Sequence, residues 1–176
     1  TRPDPVEMRS FGRVGGHLAL RVSSMYVVWF SAAAVAARID TSTLAAHQLV
    51  MSVFMFLALG LDALAIPAQS LVAAALGAGD RVRALAVARA STRLSLWCAT
   101  GLGLILGATC WLLPHLFTAD GAVVSRATAG LAMLAIIQLP AGVAFALDGA
   151  LIGAEDFRFL GRAAAAYLAV WLPLLA

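Results

Sequence analysis

The stretch "LAAHQLVMSVFMFLALGLDALAIPAQSLVAAALGAGD", Leu44 to Asp80, decides the fold. It is built almost entirely from Leu, Ala, Val, Met, Phe and Ile, yet it carries Asp62 and Gln69 in its second half. About 20 consecutive apolar residues cross a hydrocarbon core of about 30 Å, and this run is longer than that. The whole chain is 62% hydrophobic and 12% charged, where soluble domains run nearer half apolar and a quarter charged. Its composition is that of a membrane protein.

Outward from this stretch, spans read at 16–37, 44–78, 94–117, 127–154 and 163–176, behind a polar lead-in at 1–15. All should be helices, since lipid gives backbone groups no alternative partner and nothing alternates like a barrel strand. The fold class expected is therefore an all-α polytopic membrane protein. The fifth span, at about 21 Å, is too short to cross. The chain opens on Thr1 without the regions of a signal peptide. It is expected to be an internal piece, or a truncated product, of a longer polytopic protein, with no soluble domain to carry a separate function.

All twelve cations are arginine. When the connections alternate, Arg2, Arg9, Arg13, Arg81, Arg83, Arg89, Arg93, Arg158 and Arg162 fall on one side and Arg38 and Arg126 on the other, with Arg21 inside a span. The positive-inside rule then places the N-terminus of the chain in the cytoplasm of a multi-pass protein of the plasma or inner membrane. The basic balance is thus topological, and no groove of cations with stacking aromatics points to nucleic acid. Gly77 to Asp80 reads as a helix stop followed by an Asp80 N-cap.

Cys98 and Cys110 lie on one helix, too far apart to pair. His17, His47 and His115 are scattered, no metal-ligand spacing occurs, and no serine elbow or phosphate-cradling loop appears. No metal, no cofactor and no enzymatic activity are expected. Gly103 with Gly107 and Gly149 with Gly153 fit the GxxxG pattern, although in a chain so rich in glycine and alanine either is expected by chance.

The polar residues within the spans carry more. Gln48, Met55, Asp62 and Gln69 recur every seven residues, a drift of only about 20° per step, so one stripe of the second helix is largely polar. His17, Arg21, Ser24, Val28 and Ser31 share a face of the first helix, and Gln138, Ala141, Phe145 and Asp148 a looser face of the fourth. Asp62 is mid-helix, beyond easy reach of water. Arg21 and Asp148 are nearer an end, where anchoring at the interface competes with function. Gln48, Gln69 and Gln138 read first as helix-packing hydrogen bonds. Arg21 can neutralise only one of the two intramembrane acids, and a carboxyl left in hydrocarbon must take up a proton or a cation. That chemistry belongs to an ion-coupled carrier.

"AAHQLVMSVFMFLALGLDALAIPAQSLVAAALGAGD", Ala45 to Asp80, and "QLPAGVAFALDGALIGAEDFRFL", Gln138 to Leu160, resemble the eighth and tenth helices of MATE-type multidrug and toxin extrusion transporters, in the DinF-like branch. The resemblance covers nearly the whole chain, as helices seven to eleven. It implies twelve helices in two lobes, with alternating access driven by protons or sodium. The partners implied are the bilayer, an N-terminal lobe outside this sequence, and a small organic substrate. On this alignment Arg21 matches a seventh-helix arginine, Asp62 an eighth-helix acid and Asp148 a tenth-helix acid. Ala63 stands where glycine usually follows the eighth-helix acid, and the sodium-ligand acid of the sister NorM branch falls at Ala141. The branch's own coupling aspartate lies on the first helix, in the other lobe. A lipid-linked precursor flippase of the same superfamily and a structural membrane subunit are the alternatives.

Overall fold

The structure, a computed structural model, describes the backbone of residues 5–171 and 173, with the side chains at 5–11, 13, 14 and 17 outside the description. Arg2 and the side chains of Arg9, Arg13 and His17 therefore lie outside the described residues, while the backbone at 5–15, expected as a lead-in, is the start of the first helix. Among the described residues five α-helices follow one another: α1 Pro5–Ile39, α2 Thr41–Gly77, α3 Arg81–Thr109, α4 Gly121–Gly153 and α5 Phe157–Trp171. No strand occurs among the described residues. Three helical segments are long and apolar enough to cross a membrane, Leu18–Ile39, Thr41–Gly77 and Gly121–Gly153.

Two expected spans change. The segment at 94–117 does not stay helical: α3 ends at Thr109 and the chain continues into a short 3-10 turn, Leu113–Leu116. Pro114 supplies the reason, since it has no N–H to donate to the Cys110 carbonyl four residues back and its ring crowds that carbonyl. Pro67 and Pro140, by contrast, sit inside α2 and α4 without ending them. The span begun at 163 is the second half of a helix that starts at Phe157 and is described to Trp171.

Aspartates start the helices. Asp40, Asp80 and Asp120 are the N-caps of α2, α3 and α4, accepting from the backbone N–H of Thr43, Arg83 and Ala122 at 2.7, 2.8 and 2.8 Å. Asp156 does the same for Phe159 at 3.1 Å. Each of these carboxylates satisfies a donor that helix geometry leaves orphaned. The α2 to α3 and α4 to α5 turns share a plan as well. "LGAGD" and "IGAED" each end a helix at alanine, place the next residue at positive φ, 77° at Gly79 and 57° at Glu155, and then cap with aspartate. Glycine takes that backbone without strain, and glutamate does not.

The chain divides into two compact units. The first comprises residues up to Val35 and from Glu155 onward. Within it Ser24, Val28 and Leu160 are buried, and the Trp171 indole N–H donates to Ser31 Oγ at 3.2 Å. The Tyr26 ring stands edge-on to Trp29.

The second unit, Ala36–Ala154, holds α2, α3 and α4. Its interior is a layer of Leu57, Leu106, Leu131, Leu134 and Ala135, continued by Ala46, Val123 and Ala127 towards Asp40 and by Val72, Ala75 and Ala84 towards Asp80. At the Asp40 end the carboxylate also takes a hydrogen bond from Arg126 of α4, tying the start of α2 to α4. The Thr43 N–H, and then the Arg126 guanidinium, hold the Asp40 carboxyl below its ordinary value of 3.8. A carboxyl depressed in the folded state adds stability above its unfolded pKa and loses it as pH falls through the folded one. Parent and Asp40→Asn should therefore differ in melting temperature at neutral pH and converge below about pH 4. Both side chains are well exposed, so the difference should be small and should shrink with salt.

Candidate functional site

Glycines set how α2, α3 and α4 approach. A Cβ on Gly149 would lie 2.7 Å from the Ala65 carbonyl oxygen, one on Gly130 2.7 Å from Val50 Cγ2, and one on Gly153 would overlap the Gln69 backbone. Against α3, a Cβ on Gly142 would strike Ala99 and lie 2.8 Å from the Ser95 carbonyl, and one on Gly103 would lie 2.7 Å from the Ala135 carbonyl. The helices therefore touch backbone to backbone, as small residues permit in membranes. The Gly149–Gly153 pair, expected by chance from the sequence, is the seam of α4 on α2. Gly107 makes only ordinary contact, 3.8 Å from Ala135 Cβ.

These contacts fix the register. Val50 meets Gly130, Ala65 meets Gly149 and Gln69 meets Gly153, so numbers rise together and α2 and α4 run parallel. Ala65 and Gly149 are level, which places Asp62 opposite Ala146 and Asp148 about two residues, or 3 Å, further along the pair. Rotation then gives the side. Counting about 100° per residue from Ala65, Gly60 and Ala75, which pack towards α3, lie about 140° and 80° one way, and Asp62 and Gln69 about 60° and 40° the other. On α4, counting from Gly149, the α3 contacts Gly142 and Ala135 lie at about +20° and +40° and Asp148 at about −100°. Opposite rotations on parallel helices point to one side. Asp62 and Asp148 thus share a flank of the α2–α4 pair, away from α3 and at nearly the same depth.

Asp62, Asp148 and Gln69 are half-buried, while Gln48, the first residue of the same stripe, is exposed. Gln138 leaves the face on which the sequence grouped it with Asp148. It is 1% exposed, set in the α3–α4 seam with its Cβ 3.4 Å from the place a Gly103 Cβ would take, and its Nε2 has no hydrogen-bond partner. That is not the packing hydrogen bond its sequence position suggests. Arg21 belongs to the other unit, where it is half-buried on α1.

Two polar residues went unnoticed in the sequence. The hydroxyls of Ser24, Ser52, Ser70, Thr92, Thr100 and Thr109 all bond back to the carbonyl four residues earlier. Those of Ser91 and Ser95 are buried with no partner. Ser91, Ser95, Ala99, Gly103 and Gly107 recur every four residues, the spacing of one helix ridge, and that repeat was the available signal. No cluster of histidine, cysteine or carboxylate groups able to hold a metal occurs among the described residues.

A crevice of about 420 Å³ opens between α2 and α3 on the opposite side from the acids, lined by Phe56, Leu57, Leu102, Ile105, Leu106 and Phe117 among others. Its two hydroxyls, Ser52 and Thr109, are both bonded to their own helices. It offers a ligand only hydrocarbon contact.

Long apolar helices packed through glycine, with two carboxylates on one flank at membrane depth, define a polytopic helical membrane protein. The MatE family profile matches residues 18–174, and the chain belongs to that family. It is 34% identical to Protein DETOXIFICATION 44, chloroplastic, of Arabidopsis thaliana over 145 residues, covering 82% of this chain and 28% of that protein. It is 32% identical to Protein DETOXIFICATION 42 of the same plant over 149 residues, covering 85% of this chain and 29% of that protein. The chain thus spans less than a third of the length of these relatives. No solved structure matches it.

Proposed function

We propose that this chain forms part of one lobe of a secondary active antiporter that exports drugs or other toxic organic compounds in exchange for protons or sodium. Membership of the MatE family supports transport rather than enzymatic chemistry. The observation that carries the coupling is the common flank of Asp62 and Asp148. A carboxylate at membrane depth attracts a proton or a cation, and an ion that serves this flank becomes linked to its conformation. Arg21, Gln69 and Gln48 are assigned to the same pathway. The rest of the transporter, an N-terminal lobe in the DinF-like arrangement, is the principal partner. The membrane is the plasma or inner membrane, with the N-terminus of the chain in the cytoplasm.

The test uses the full-length protein in liposomes. A proton or sodium gradient imposed alone should drive counterflow of ethidium, and the 176-residue chain by itself should not sustain it. Ethidium flux indifferent to both gradients, or antiport by the isolated chain, would sink the proposal. Orientation has its own test. With Cys98 and Cys110 replaced, single cysteines at Ser42 and Ala119 should react with an impermeant maleimide from outside intact cells, and labelling only after the cells are opened would reverse the topology.

A further inference from the structure

We propose that Arg89, Arg93 and Trp97 form a binding site for an anionic phospholipid on the outer face of α3, in the leaflet at the Asp80 end. The inference rests on the membrane assignment alone and not on the transport activity or on which end is cytoplasmic.

The three side chains are spaced four apart, one turn from each to the next, and all are exposed, Trp97 to 77%. Counted from buried Ala84 at about 100° per residue, they fall about 140°, 180° and 220° around the helix. The buried stripe of Ser95, Ala99 and Leu106 lies within about 60° of Ala84, so the three point directly away from α2 and α4. Apolar side chains flank them: Val82 is 82% exposed and Leu85 51% on the Asp80 side of the arginines, and Leu96 is 40% exposed beside Trp97. Two cations therefore stand among exposed apolar side chains two to three turns inside the helix.

Neither arginine forms an ion pair among the described residues, and of the acids at this end Asp80 and Asp156 are engaged by the Arg83 and Phe159 backbone N–H at 2.8 and 3.1 Å. The charge on this face is thus left for a ligand. A lipid phosphate fits it. Two guanidinium groups one turn apart can bracket a phosphate with charge-assisted hydrogen bonds, and the glycerol and acyl chains beyond it would lie along Trp97 and Leu96. Helical side chains lean towards the N-terminus, here the Asp80 end, which carries the guanidinium groups towards the headgroup layer while the tryptophan stays at the interface.

Place the full-length protein in nanodiscs of phosphatidylcholine and phosphatidylglycerol in equal parts, release it into detergent, and weigh the retained lipid by native mass spectrometry. The parent should retain phosphatidylglycerol preferentially. R89Q/R93Q should lower that retention on the order of 30-fold, about fivefold for each arginine near an anionic surface. R89K/R93K, which keeps both charges, should retain most of it and so separates loss of the site from loss of the fold. R81Q/R83Q, altered in the first turn, should lower retention clearly less than R89Q/R93Q does, because those charges act only through the general field of the headgroup layer, and millimolar inorganic phosphate should not displace the lipid. Equal retention of the two lipids by the parent overturns the proposal, as does an unchanged preference in R89Q/R93Q or an equal loss in R81Q/R83Q. Displacement by inorganic phosphate would make this a bare phosphate site and overturn it too.

Discussion

Asp62→Asn in the full-length transporter is expected to cut coupled export by an order of magnitude or more and to flatten its dependence on external pH. The substitution keeps the shape of the side chain and its capacity for hydrogen bonds and removes only the titratable charge. A residue that merely joins helices should survive it. Asp148→Asn should alter the same pH profile, because it lies on the same flank of the α2–α4 pair at nearly the same depth, within reach of the ion that Asp62 would serve. Export is measured against external pH for the parent, each single variant and the double variant. If the pair is one coupling unit, the double variant is no worse than the more damaged single. An unchanged rate and pH profile in Asp62→Asn would leave it a packing residue and move the coupling ion to the other lobe.

The second large effect is expected from a single methyl group. In Gly149→Ala the new Cβ would lie 2.7 Å from the Ala65 carbonyl oxygen, and in Gly142→Ala it would strike Ala99 and sit 2.8 Å from the Ser95 carbonyl. Most of what it meets is backbone, which has no rotamer to change, so the helices must part. Overpacking of this kind costs about 1–3 kcal/mol. Gly101→Ala is the control, since nothing lies within 4 Å of its Cβ position. There the helix should gain about 0.5–1 kcal/mol from the alanine. Thermal unfolding in detergent reads both. Should Gly149→Ala melt with the parent, the α2–α4 register is wrong, and the level placement of Asp62 and Asp148 falls with it.

The helices and their caps were legible in the sequence because they depend on neighbours along the chain. Apolar run length set the spans, Gly79 and Asp80 announced their turn, and the seven-residue recurrence of Gln48, Asp62 and Gln69 marked the polar stripe before any contact was known. The end of α3 has a signal in Pro114, but the largely apolar run to Phe117 reads as one span. What one helix does to another was not legible. Gly149 with Gly153 looks in sequence like Gly103 with Gly107, and only packing shows that three of these four glycines are in tight contact while Gly107 is not. Gln138 and Asp148 are about 80° apart on α4 by periodicity, a separation that allows either a common face or two. The position of α3 decides for two, taking Gln138 into its seam.

The early end of α3 bears on the bilayer itself. From Leu94 to Thr109 the helix is about 24 Å long, short of a hydrocarbon core of about 30 Å. Beyond Thr109 the backbone turns, and backbone that is not helical is not tolerated against acyl chains. The exposed Trp111 and Phe117 belong to that turn, at the depth where aromatic rings gather along a membrane's edge. α2, at 37 residues, has length to spare and can tilt. α3 as a whole runs 29 residues from Arg81, so it reaches across only with its arginine-bearing first turns drawn towards the headgroups. The two ends of α3 therefore limit its seat in a bilayer differently, charge at one end and a non-helical turn at the other.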